Sequence, residues 1–153
     1  MTRRAFLLLA ACSLAWSADP EPLVGKWRLK SQQVSGKEME SRPLTLEIRP
    51  AAGALEFVYS VPESNSMVVS LRFAIRLDGT AGDVKDAQGR KIGTAKVGRM
   101  GAGEYSMTLE GPHRPTASGK MKLSADGKSL VCESDAAAAG GGHIHTVQTF
   151  VRQ

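Results

Sequence analysis

Three places in the chain carry side chains whose type and spacing suggest chemistry. His143 and His145 are separated by a single residue. On a strand they share a face, with Cα atoms roughly 7 Å apart. Two imidazoles so placed can begin a Zn or Cu site, but a stable site takes three or four ligands. Cys132 and Asp135 on the preceding segment are the nearest further donors, and the remaining histidine, His113, lies in a Pro-flanked stretch. No Cys-x-x-Cys or His-Glu-x-x-His spacing links them. An exposed polar pair is the simpler reading, metal binding through His143 and His145 is the weaker alternative, and no cofactor is expected. Cys132 is the second place. It sits among strand-forming residues, without the basic or helix-start surroundings that activate a thiol, and reads as a small buried hydrophobe. The third is the last apolar stretch, where Ile144, Thr146, Gln148, Phe150 and Arg152 share one face of a strand. If that face turns inward, Thr146 and Gln148 become buried polar groups. They would then bond to each other, to water or to a ligand, and Gln148 is the candidate polar contact.

Known catalytic spacings are missing. The sequence has no Gly-x-Ser-x-Gly elbow, no dinucleotide loop and no recognisable pair of catalytic carboxylates, so an enzyme is not expected. The tract Ala136-Ala137-Ala138-Ala139-Gly140-Gly141-Gly142 is followed by neither Lys-Ser/Thr nor a helix start. It reads as a flexible connection, or as a lid over an open end, and not as a phosphate loop.

The elements that position these groups belong to one domain, since 153 residues make one ordinary domain. With 42% hydrophobic and 23% charged residues, the chain is not collagen-like, wholly disordered or a disulfide-dense miniprotein. The net charge is +5, and +3 without Arg3 and Arg4. The remaining basic residues are interleaved with acids, so a nucleic-acid partner is not expected.

The first residues have the layout of a secretory leader: Arg3 and Arg4, an apolar run from Ala5 to Ala11 continuing to Trp16, then small residues before Asp19-Pro20. The run is shorter than the ~20 residues of a spanning helix, and no later segment is long and apolar enough to span. Residues 1–18 are therefore assigned to a signal peptide and 19–153 to the folded domain, which makes the protein exported: periplasmic or extracellular. Cleavage after Ser17 would free a soluble chain. Alternatively, Leu9-Ala10-Ala11-Cys12 resembles the lipobox of bacterial lipoproteins, in which the matching cysteine is acylated and becomes a membrane anchor. Cys12 and Cys132 are the only cysteines, so removal or acylation of Cys12 leaves no internal disulfide.

After the leader the dominant pattern is alternation of period two. Met67, Val69, Leu71, Phe73, Ile75 and Leu77 alternate with Val68, Ser70, Arg72, Ala74 and Arg76, which predicts a strand with one apolar face. Similar alternation runs through Leu23–Leu29, Leu44–Ile48, Leu55–Val61, Tyr105–Leu109, Met121–Leu123 and Leu130–Cys132. The separators are turn formers, among them Asp78-Gly79, Asp86-Ala87-Gln88-Gly89 and Asp126-Gly127, and the intervals leave no room for parallel crossovers. The expected fold is all-β: a single antiparallel up-and-down barrel of about 8–10 strands, closed so that its apolar face is buried, with a two-sheet β-sandwich as runner-up. Its inward face would offer Phe57, Tyr59, Leu71, Phe73, Ile75, Tyr105 and Met107, with Gln148, as candidate ligand-binding residues.

Gly25-Lys26-Trp27 at the start of the first strand resembles the Gly-x-Trp signature of lipocalins and related barrels. Together with Ser124-Ala125-Asp126-Gly127-Lys128-Ser129-Leu130 and the terminal Phe150-Val151-Arg152-Gln153, it resembles a group of small exported bacterial lipocalin-like proteins of uncharacterised role. The resemblance implies that Trp27 plugs one end of a barrel, that Arg152 lies across its ring, and that Gly25, Trp27 and Arg152 close the fold. It also implies binding of a small, mostly apolar molecule. The second and third signatures of the well-studied lipocalins are missing. The alternative function is a lipid-anchored cell-envelope structural or interaction module with a filled barrel and no small ligand. The residues specify no oligomeric state.

Overall fold

The structure is a computed structural model that describes residues 21–112 and 114–153; the leader with Cys12, and His113, lie outside the described residues. The alternating segments form strands β1 (Gly25–Val34), β2 (Lys37–Met39), β3 (Thr45–Ala51), β4 (Ala54–Glu63), β5 (Ser66–Ile75), β6 (Gly82–Asp86), β7 (Lys91–Gly101), β8 (Glu104–Gly111), β9 (Arg114–Leu123), β10 (Ser129–Ala137) and β11 (His143–Arg152). Each strand from β3 onward pairs antiparallel with the next, and β11 returns to pair with β1 from Trp27↔Arg152 to Val34↔Thr146. The result is a closed antiparallel barrel of ten strands, with β2 a three-residue addition beside the far end of β1. Closure satisfies the two outermost ladders, which an open sheet would leave bare. Among the described residues there is no helix, and so none long and apolar enough to cross a membrane.

The barrel has two unlike ends. At the closed end the first described residues run under the floor. Leu23 and Trp27 are fully buried, and the Trp27 indole N–H donates to the Leu23 carbonyl at 3.0 Å. The Arg152 guanidinium sits 4.1 Å from the centre of the Trp27 ring. It donates to the carbonyls of Gly127 at 2.7 Å, Val24 at 2.8 Å and Pro22 at 2.8 Å. Gly25 makes this approach possible: a Cβ there would lie 2.3 Å from the guanidinium, and its φ of +152° is one that side chains rarely adopt. Beside this cluster the Glu21 carboxylate accepts from the Tyr105 hydroxyl and pairs with Arg99.

The regular alternation is interrupted by bulges, and these change which residues face inward. Opposed residues on antiparallel strands share a face. In β5, Leu71 opposes Tyr59 but Val69 opposes Ser60, so Ser70 is an extra residue. Beyond it Val68 opposes Val61 and faces the interior, whereas Met67 opposes Pro62 and is exposed. The six-residue apolar face expected from Met67 to Leu77 therefore ends at Leu71. In β1, Lys30 is the extra residue, and beyond it Gln32 and Val34 turn inward opposite Gln148 and Thr146.

The connection expected to be floppy begins as ordered ladder. Ala136 and Ala137 belong to β10 and pair with Ile144 and His143. The turn proper is held by Ala138 N–H donating to the Gly142 carbonyl at 3.0 Å and Gly141 N–H to the Ala138 carbonyl at 3.2 Å.

Candidate ligand pocket at the barrel mouth

The closed half of the interior is filled. Phe57 and Phe73 stack with centroids 5.0 Å apart and planes 10° from parallel. Phe57, Phe73, Ile75, Tyr105 and Met107 are all buried in one continuous cluster with Trp27, Met121 and Phe150. Five of the residues expected from sequence to face a ligand thus sit in the packed core. Tyr105 moreover spends its hydroxyl on Glu21 at the floor. Burial and that bond together push the Tyr105 phenol up to about 12.

Space opens higher up. Leu71, Val84, Ile92, Gly93, Leu109 and Ala117 form the wall of a pocket of about 140 Å³, rimmed by Glu110, Gly111 and Pro115 where β8 turns into β9. An apolar cavity of roughly 150 Å³ holds one benzene ring. β7 and β9 place small residues at this wall, and a Cβ on Gly93 would lie 2.1 Å from the Glu110 carbonyl oxygen, so that glycine lets β8 approach closely. Gly93 stands opposite Val84, and Ala117 opposite Leu109 and Ala136. Of the sequence candidates only Leu71 lines it. Tyr59 is the next residue inward: it opposes Leu71, and its ring lies 6.2 Å from that of Phe73. Burial raises the Tyr59 phenol far above its ordinary value, with a smaller contribution from nearby Cys132.

The wall formed by β1, β10 and β11 is polar. Gln148 lies on the inward set with Phe150, opposite Cys132 and Gln32. Its amide donates to Gln32 Oε1 at 3.2 Å. Cys132 is buried and pushed up to about 12 by desolvation, which leaves it protonated. His143 and His145 are on the outer face and exposed, and His145 Nδ1 lies 2.9 Å from Asp135 Oδ1. Cys132 faces the opposite side of β10 from Asp135, so the donors considered together in sequence are divided by the sheet. Among the described residues no three His, Cys, Asp or Glu side chains gather as a metal site.

Val84, Ile92, Gly93, Leu109, Ala117 and Gln32 were not singled out by sequence. Leu109 was visible as the end of an alternating run. Gln32 gave no signal, because its inward direction depends on the bulge at Lys30.

No protein-family profile matches the chain, and no curated protein matches it. Solved structures do. The zebrafish ileal bile acid-binding protein complexed with cholic acid superposes with a TM-score of 0.56 at 21% identity, covering 87% of this chain and 100% of that one. The S-type phycobiliprotein lyase of Guillardia theta gives 0.58 at 13% identity, over 86% and 89%. The fatty acid transporter REP1-NXSQ gives 0.55 at 16% identity, over 86% and 98%. At these identities the likeness establishes the fold, which is that of the lipocalin-like calycin barrels.

Proposed function

We propose that this chain is an exported carrier or sensor barrel that takes a small, mostly apolar molecule into its mouth. The observation that carries the reading is the apolar pocket above a solid floor, lined by Leu71, Val84, Ile92 and Leu109 together with the small residues Gly93 and Ala117. Two of the neighbours are named for cargo of this kind, a bile acid and fatty acids. Export rests on the leader pattern of residues 1–18.

Magnitudes limit the ligand. A ring burying ~100 Å² of apolar surface gains about 2.5 kcal/mol at ~25 cal/mol per Å². Micromolar affinity takes about 8 kcal/mol. A useful ligand must therefore extend beyond the pocket and cover more of the mouth.

The test is titration with Nile red, a neutral dye whose emission shifts to the blue in apolar surroundings. Saturable binding with a blue shift is expected, and Ala117→Phe should abolish it while leaving the melting temperature within a few degrees. An unshifted dye, together with native mass spectra from the source organism free of any co-purifying molecule, would refute the reading. The filled lower half favours a second reading, an envelope module anchored through Cys12. Incorporation of a fatty-acid probe that is lost in Cys12→Ala would support the anchor, and an N-terminus at Ala18 would oppose it.

A further inference from the structure

The apolar pocket faces a wall with its own chemistry. Gln32 on β1 and Gln148 on β11 stand directly opposed in the ladder. Their single mutual bond, 3.2 Å long and part-buried, uses one N–H of Gln148 and one lone pair of Gln32. Each primary amide offers two N–H donors and a carbonyl acceptor. Among the described residues, no side-chain or backbone partner takes up the Gln32 amide N–H groups or the Gln148 carbonyl. The pair thus keeps three N–H groups and three carbonyl lone pairs to spare, and exchanging the nitrogen and oxygen of both amides leaves the same count with the roles reversed. The residues at the flanking inward positions are uncharged: Cys132 and Ser134 on β10, Thr146 on β11 and Val34 on β1. Tyr59, on the wall that leads to the pocket, carries a phenol that burial holds neutral.

We infer that the Gln32–Gln148 pair selects an uncharged hydrogen-bonding headgroup, a hydroxyl or amide, at the polar end of an elongated apolar ligand, and discriminates against a carboxylate. A hydroxyl can accept from Gln32 and donate to Gln148 at once. A carboxylate only accepts. It could take the spare N–H groups, but it would offer no proton to the amide carbonyls beside them and would find no cation among the flanking inward residues. Removing a charge from water without a compensating partner costs more than one neutral hydrogen bond returns. This inference rests on the reading of the mouth as a ligand site and specifies the class of molecule that site accepts.

Decan-1-ol and decanoate, identical in chain length, are compared as competitors of bound Nile red on the full chain at pH 8. Decanol should displace the dye at a concentration at least tenfold lower than decanoate. Gln148→Leu and Gln32→Leu should each reduce that ratio at least threefold, with the dye's own Kd unchanged within twofold as evidence of an intact barrel. A ratio near one in the parent, or an unaltered ratio in both variants, overturns the inference while leaving the mouth as an apolar site. Failure of the parent chain to bind the dye overturns the mouth reading and this inference with it.

Discussion

Replacing Arg152 with Met removes the guanidinium and keeps most of its aliphatic length. The parent side chain makes three hydrogen bonds to carbonyl oxygens at 2.7 to 2.8 Å and covers the Trp27 ring at 4.1 Å. Hydrogen bonds from a charged donor contribute about 1.5–3 kcal/mol each when buried. These are part-buried or exposed, and water can replace some of what is lost, so about 2 kcal/mol is reasonable for the three together. The cation over the indole adds about 1 kcal/mol. The expected loss is thus about 3 kcal/mol, a large share of the 5–15 kcal/mol typical of a whole domain. Urea denaturation followed by Trp fluorescence measures it, and a fall in melting temperature of about 9 °C should accompany it. The backbone pairing of β1 with β11 does not need this side chain, so the damage should begin at the floor. Residues Pro22–Val24, of which Arg152 holds the Pro22 and Val24 carbonyls, should become sensitive to limited proteolysis before the ladder opens. A double-mutant cycle with Trp27→Phe, followed by circular dichroism because Trp27 is itself the fluorophore, should return a coupling of about 1 kcal/mol. A loss below 1 kcal/mol, or additivity in the cycle, would show that closure of the barrel does not depend on this contact.

Other expectations follow from single sites. A Cβ on Gly119 would lie 1.8 Å from the Glu133 carbonyl oxygen and 2.8 Å from the Ser134 Cα. Gly119→Ala must push β9 away from β10 and should cost about 3 kcal/mol or more in a denaturant melt; an unchanged melt would mean the strands are farther apart than described. The Cys132 thiol, pushed up to about 12, should resist Ellman's reagent at pH 8 in a Cys12→Ala chain and react promptly in 6 M guanidinium; prompt labelling of the native chain would contradict its burial. The chain has two tyrosines, Tyr59 and Tyr105, both raised. A phenol harder to ionise in the folded state contributes stability that is complete below its unfolded value near 10 and is lost as pH rises beyond it, by ~1.4 kcal/mol per unit for each group. Absorbance at 295 nm should therefore show little phenolate below about pH 11, then a rise that coincides with unfolding. A normal titration centred near pH 10 in a still-folded chain would refute it.

The barrel itself was readable because its evidence is local or terminal. Alternation from Leu71 to Ile75 needs no knowledge of a partner strand, and Trp27 and Arg152 mark the two ends that must meet. Less was readable where the physics lies between strands. β6 and β7 carry weak alternation, since Gly82, Gly93, Ala95 and Gly98 supply little apolar contrast, yet these strands build half of the pocket wall. Bulges at Lys30 and Ser70 are properties of a pair of strands and leave no mark on either one alone. Gln32 and Val68 turn inward because of them, and Met67 turns outward. The polarity of Gln148 was legible only through a conditional argument: if Arg152 reaches the floor, parity forces Gln148 inside.

The bulges in β1 and β5 contribute to a division of labour along the barrel. Below them, period-two alternation runs without interruption through Trp27, Leu29, Phe57, Phe73 and Ile75, and most inward residues are large and apolar. Above them, parity is reset in β1 and β5, so that Gln32, Val34 and Val68 turn inward opposite Gln148, Thr146 and Val61, whose own strands keep their parity. A one-residue shift moves a strand's whole side-chain set to the other face, so an insertion part-way along a strand lets one half obey the core and the other half escape it. The closed half can then supply the stability that ordering the chain requires. The open half can hold small and polar side chains that contribute little to folding and leave room for a molecule that is not part of the protein. A mouth that merely finished the core would be expected to continue the apolar alternation to the rim. Instead, β9 and β10 place Ala117, Gly119, Ser134 and Ala136 there, and β1 and β11 place a pair of amides with bonding capacity to spare.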